Sequence, residues 1–111
     1  MLRTPPRFKT FDQYSPDRQT VVSNKALDLL APTYERKGAL YSRLKQQINA
    51  VADYRASRDS RLTIKPEQIK VRRLHILMAN RPLVHAQTIQ IQAAMVEARR
   101  RGVTMTVEFA D

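Results

Sequence analysis

Val103-Thr104-Met105-Thr106-Val107-Glu108-Phe109 alternates apolar and polar residues without a break. That period of two fits a strand with one buried face. A long helical pattern, about Arg81 to Arg101, runs directly into it. Asn80 serves as the expected cap, Pro82 suits an early position, and Arg99, Arg100 and Arg101 complement the negative end before Gly102 stops the helix. Upstream, Val71 to Met78 reads as a strand with Leu74, Ile76 and Met78 on one face and Val71, Arg73, His75 and Leu77 on the other. As a helix starting at Pro66-Glu67, the same segment would group Ile69, Arg73, Ile76 and Leu77, a weaker stripe. The strand reading is preferred, and strand, helix and strand with short joins predict a right-handed β-α-β unit. Two parallel strands make a poor sheet, so Leu62-Thr63-Ile64 or a strand from another chain is expected to extend it. Within the intervening helix, Val84, Ile91, Met95 and Ala98 form one apolar face and Ile89, Ala93 and Val96 another, which predicts packing on two sides.

The first half reads differently. Pro5, Pro6 and Pro16 disfavour helix over residues 1–20, where Phe8, Phe11 and Tyr14 recur at spacing three beside Arg7. Three aromatics have little reason to stay in water, so this extended arm is expected to lie in a groove on its own domain or on a neighbour. A first helix is expected over Ser23–Leu30, ended by Pro32. A second runs from about Thr33 to Arg58, with Tyr34, Tyr41, Leu44, Ile48 and Val51 as its stripe. Gly38 falls inside it and weakens it locally by about 0.8–1.0 kcal/mol relative to alanine. Polar Arg55 to Arg61 is the clearest linker. The chain thus divides into an arm over 1–20, a helical region over 21–58, a linker at 59–61 and a β-α-β region over 62–111, the last packing with 21–58 as one unit. The fold class is α+β, with an N-terminal extended arm, two helices and then a small β-α-β unit; the runner-up is mainly α-helical with a C-terminal strand.

Chemistry leaves few marks in this sequence. Without cysteine there is no disulfide, thiolate metal site or thiol nucleophile. Gly38 and Gly102 are the only glycines, too few and too far apart for a phosphate loop. His75 lies in an apolar run and reads as a core or edge-strand residue; His85 begins a helix, where the dipole disfavours its protonation. Ten residues apart and without a carboxylate pattern, the two do not make a metal site. Asp53, Asp59 and Glu97 have no glycosidase, two-metal or zincin spacing. A nuclease with carboxylates dispersed along the chain would leave no such signature. The expectation from motifs alone is therefore a protein that is not an enzyme and takes no cofactor and no metal.

Charge is the stronger signal. Twenty Lys and Arg against ten Asp and Glu give +10, and fourteen of the twenty are arginine. Arginine's planar fork suits phosphate and carboxylate partners. Three basic zones are candidates for phosphate binding: Arg36, Lys37, Arg43 and Lys45; Lys70, Arg72 and Arg73; and Arg99, Arg100 and Arg101. No stretch approaches the roughly 18 apolar residues of a membrane span, and Met1 to Arg7 lacks the apolar run of a secretory signal. A cytoplasmic location or the interior of a particle is expected, with no membrane insertion. The favoured function is a structural subunit of a larger assembly, viral or ribonucleoprotein in type, docking on other protein subunits through Arg7, Phe8, Phe11 and Tyr14. RNA or DNA contact and homo-oligomerisation are compatible with it. One alternative is a non-specific nucleic-acid-binding module using the basic zones; another is a small inhibitor or adaptor of an acidic protein.

Overall fold

The computed structural model describes residues 1–55, 61–82 and 84–110. Its centre is a five-stranded mixed sheet in sequence order, β1 (Leu2–Arg3), β2 (Gln13–Tyr14), β3 (Thr20–Leu27), β4 (Val71–Ala79) and β5 (Val103–Ala110). Helices α1 (Ala39–Ala52) and α2 (His85–Arg100) follow β3 and β4. β1, β2 and β3 form an antiparallel meander, whereas β3 with β4 and β4 with β5 are parallel. The α+β class is as expected, with two helices. Both pack on one face of the sheet: α1 meets β4 and α2, and α2 meets β5. Leu74, Ile76, Met78, Val103 and Met105 point into that layer with Leu44, Ile48, Val51, Ile91 and Ala98. The opposite face of the sheet carries Asn24, Arg73, His75, Thr104, Thr106 and Glu108, in or partly in solvent.

The segment expected as a first helix, Ser23–Leu30, is instead most of β3. Its apolar residues number too few to nucleate a helix alone, while every residue from Thr20 to Leu27 finds a partner on β4. Long-range pairing overrides local preference here. Asp28 then ends the strand, accepting from Leu30 N at 2.9 Å. Leu62 and Ile64 add no strand; both are buried, and Tyr54 Oη donates to Ile64 O at 2.7 Å. The sheet is extended by β3 rather than by Leu62–Ile64. The long helix starts later than Thr33: Pro32–Glu35 is a 3-10 turn, and Gly38, at φ 78°, adopts a left-handed conformation before Ala39. Its end at Ala52 leaves Arg55 outside the helix, and 56–60, with most of the linker, lie outside the described residues. Likewise α2 begins at His85 with Val84 as cap rather than at Arg81 after Asn80. Its stop at Gly102, φ 75°, is as the sequence implies.

Residues 1–20 fold onto their own chain. Phe8 is 5% and Phe11 0% exposed, and their rings stand 6.1 and 4.8 Å from that of Tyr54. A bulge aims Phe11 inward. Gln13 pairs with Val22, yet Asp12 N also donates to Val22 O at 2.8 Å, so two residues of one strand oppose one of the other. The extra residue turns Phe11 to the helix side, while Asp12 and Gln13 stay at the strand edge. Thr4 Oγ1 on Phe11 O at 2.6 Å and Thr4 N on Asp12 O at 3.0 Å fasten the arm there.

Truncating a fully buried aromatic costs about 3–5 kcal/mol through lost transfer energy and the cavity left behind. Phe11→Ala should lower the urea-unfolding free energy by that amount, while Leu2→Ala, on exposed β1, should change it by less than about 0.5 kcal/mol. Equal small effects would mean that the arm is not part of the core.

Candidate functional site

Asp12 is the best-placed carboxylate on the sheet edge. Its Oδ2 accepts from Asn24 N at 2.7 Å, occupying the place that a strand carbonyl would otherwise take. Beyond that bond no strand pairs with β3 on the β2 side among the described residues, so Lys25, Ala26 and Leu27 present a free backbone edge. Asp12, Gln13 and Asn24 line a cleft of about 370 Å³ together with Arg3 and Thr4. Asn24 Nδ2 donates to Gln13 Oε1 at 3.4 Å, which ties the two amides across the strands. Lys25, half-buried, follows on β3, and Asp28 closes the same strand, its Oδ1 accepting from Asn80 Nδ2 at 3.1 Å.

A larger cavity, about 530 Å³, opens at the C-terminal ends of β3 and β4 between the 3-10 turn and the first turns of α2. Leu29, Leu30, Tyr34 and Val84 form its apolar wall, and Arg36 and Lys37 stand on its lining. On the open face of the sheet, His75 is held from both sides: Nδ1 lies 2.7 Å from Thr106 Oγ1 and Nε2 3.2 Å from Glu108 Oε2. It is thus neither a core residue nor beside His85, which is exposed at the start of α2. Among the described residues no three His, Cys, Asp or Glu side chains come together closely enough to hold a metal ion.

The basic zones separate once folded. Arg36, Lys37 and Arg43 are exposed around one loop, with Lys45 exposed farther along α1. In the second zone Lys70 and Arg73 are exposed, but Arg72 turns inward: Nη1 donates to Val51 O at 2.6 Å and Ala52 O at 3.1 Å, closing the end of α1. Burial holds its guanidinium below the ordinary arginine pKa, and the charge of Arg55 adds to the effect. In the third zone Arg99 is exposed and, among the described residues, pairs with no carboxylate. Arg100 Nε donates to Glu97 Oε2 at 3.0 Å, and Arg101 pairs with Asp53 at the end of α1. Arg100's hydrogen bond keeps Glu97 below the usual carboxylate pKa. Of the arm residues, Phe8 and Phe11 are core, Tyr14 packs against it and Arg7 is exposed. Asp59 lies outside the described residues. Sequence reasoning passed over Asp12, Asn24 and Lys25; the only sign was a charged or amide residue in a segment read as arm or helix.

Comparison with known proteins changes the functional reading. The family described as "CDI toxin restriction endonuclease-like domain" matches residues 2–108. A chain of a CdiA-CT/CdiI toxin and immunity complex from Yersinia pseudotuberculosis superposes with a TM-score of 0.84 at 25% identity, covering 98% of this chain and 88% of that one. No curated protein sequence matches. The expectation of a non-catalytic viral or ribonucleoprotein subunit is overturned by the family match, because that family is of toxin domains with an endonuclease-type fold. A large assembly of like or unlike subunits is also corrected: the similar structure is a toxin and immunity complex. The physical reason is plain in the core, where the aromatics read as docking groups already cover Tyr54. Of the readings drawn from sequence, nucleic-acid binding stands nearer to these findings.

Arg72 and Arg73 offer a test of which arginines are structural. Arg72→Met leaves two carbonyls without their donor and should cost about 1–3 kcal/mol in urea unfolding. Arg73→Met should cost less than about 0.5 kcal/mol. Equal costs would show that Arg72 does not hold α1.

Proposed function

The chain belongs to the family of CDI toxin restriction endonuclease-like domains, and from that premise we propose that it is a nuclease toxin domain, cleaving phosphodiester bonds in nucleic acid and neutralised by a dedicated immunity protein. The observation that carries this reading is the match over residues 2–108. The cleft around Asp12 supports it.

Hydrolysis of a phosphodiester needs a base for the attacking water, cations for the charge that builds on the phosphoryl oxygens, and a proton for the leaving oxygen. Asp12 is suited to the first task. Asn24 N engages Oδ2 and orients the carboxylate, and Oδ1 can take a proton from water. Arg3, in the same cleft, supplies a fixed positive charge, and Lys25 supplies a second along β3 that can also donate a proton. The amides of Gln13 and Asn24 can hold the remaining phosphate oxygens. The charge of +10 draws the polyanion toward this surface.

The immunity protein has an obvious place to bind. α2 packs on one side rather than the expected two: of the face through Val84, Ile91, Met95 and Ala98 only Ile91 and Ala98 are buried, and on the face through Ile89, Ala93 and Val96, Ile89 and Val96 are 51% and 69% exposed. Arg99 and Arg100 flank this stripe. A partner with an apolar patch ringed by carboxylates would cover it, since apolar burial gives affinity and the charges give encounter rate and register.

Asp12→Asn keeps an acceptor for Asn24 N but removes the base, and should slow cleavage of DNA or RNA at least about 100-fold with an unchanged unfolding midpoint. Full activity in that variant would place the chemistry elsewhere; no cleavage of either polymer by the unaltered chain would remove the nuclease reading. Val96→Asp should leave cleavage intact and weaken inhibition by the cognate immunity protein at least about tenfold. Undiminished inhibition would move the interface off α2.

A further inference from the structure

We infer that the 530 Å³ cavity between the 28–37 loop and α2 holds one unpaired nucleotide of the substrate strand, its base against Tyr34 and its phosphate between Arg36 and Lys37. This rests on the nuclease reading and adds a second contact region, separate from the Asp12 cleft. The volume lies within the range that binds small ligands.

Its lining has the composition that a nucleotide requires. Leu30 and Val84, 50% and 56% exposed, leave an apolar wall open to solvent. Tyr34 presents a half-buried aromatic ring beside that wall. Base stacking on an aromatic side chain tolerates any sequence, because each base has a π-face. Two exposed cations, Arg36 and Lys37, then give the cavity a chemistry that an apolar ligand would not need. Glu35, the one acidic residue on the lining, offers an acceptor to the amino group of a base. A shallower groove shares Tyr34, Arg36 and Lys37 and continues to Arg43, which extends positive charge along the next stretch of backbone. The strand must be unpaired where it enters, since a base within a duplex cannot turn its face to a side chain.

The cavity is also held in shape before anything binds. Gln87 Nε2 donates to Leu29 O at 3.1 Å, joining α2 to the loop after β3. Asn80, in a left-handed conformation at φ 127°, donates from Nδ2 to Asp28 Oδ1 and joins the loop after β4 to the same place. Gln90 Oε1 accepts from Tyr41 N at 3.0 Å and fixes the start of α1. Both parallel strands end here, and open α/β sheets bind ligands beyond the carboxyl ends of their strands.

The test uses the full chain and a fluorescent, phosphorothioate-linked single strand of 12 nucleotides that resists cleavage, read by anisotropy against the corresponding duplex. Tyr34→Ala should weaken single-strand binding about 5- to 100-fold; Tyr34→Phe, which keeps the ring, should stay within about twofold. Should Tyr34→Ala lower the unfolding midpoint, Tyr34→Leu keeps the packing and loses the stacking. Replacing Arg36 and Lys37 by alanine, both at exposed positions, should reduce the slope of log K against log salt by about 1.4 for a single strand. Wild-type binding by Tyr34→Ala or Tyr34→Leu, an equal loss in Tyr34→Phe, or an unchanged salt slope would overturn the inference while cleavage by the unaltered chain kept the nuclease reading. Absence of both binding and cleavage in the unaltered chain would overturn both.

Discussion

Everything else in the fold hangs on the parallel pairing of β3 with β4, which runs in unbroken register from Thr20 opposite Val71 to Leu27 opposite Met78. It joins segments separated by more than forty residues, so the loop entropy is committed early and recovered only when α1 covers the sheet. With β4 fixed between β3 and β5, alternation does the rest. Leu74, Ile76 and Met78 are driven under the helices, while Arg73, His75 and Leu77 remain on the open face. The same pairing sets the candidate site. β3 extends past β2, and the free stretch beyond Asn24 exists only because β4 holds it straight.

The C-terminal half was legible because its signals are local. Alternation from Val103 to Phe109, the glycine stop at 102 and the inward set on β4 each follow from spacing within one element. The N-terminal half was not. Val21 and Ser23 are fully buried and β3 is a strand because of a neighbour far along the chain, which no window of eight residues can reveal. The arm shows a related limit: spacing three at Phe8, Phe11 and Tyr14 announced aromatics needing cover, and it was a bulge at Asp12-Gln13 and the distant Tyr54 that decided where the cover lies. The site was hidden for the same reason. Asp12 and Asn24 are twelve residues apart and meet only through strand pairing, so no catalytic spacing marks them. Periodicity on α2 placed Ile91 and Ala98 inward, but its expectation of packing on two sides failed, with Met95, Ile89 and Val96 left to solvent.

Net charge proved a poor guide to which cations are free at the surface. Among the arginines that sequence grouped into binding zones, Arg72 closes a helix, and Arg100 and Arg101 are engaged by Glu97 and Asp53. These side chains stabilise helix ends as well as raising the total charge. The cations left in solvent around Arg36, Lys37 and Arg43 gather beside an apolar cavity, and Arg3 stands beside Asp12. A polyanion drawn by the overall field would thus meet two built recesses on one small domain, one lined by a carboxylate and amides and the other by an aromatic ring.

The most direct measurement is to incubate the purified chain with end-labelled DNA and RNA and to map the ends of the products. The account predicts cleavage of at least one polymer by water, leaving a phosphate on one new end and a hydroxyl on the other, with the cleavage lost in Asp12→Asn. Intact substrates, or equal cleavage by chain and variant, would contradict it.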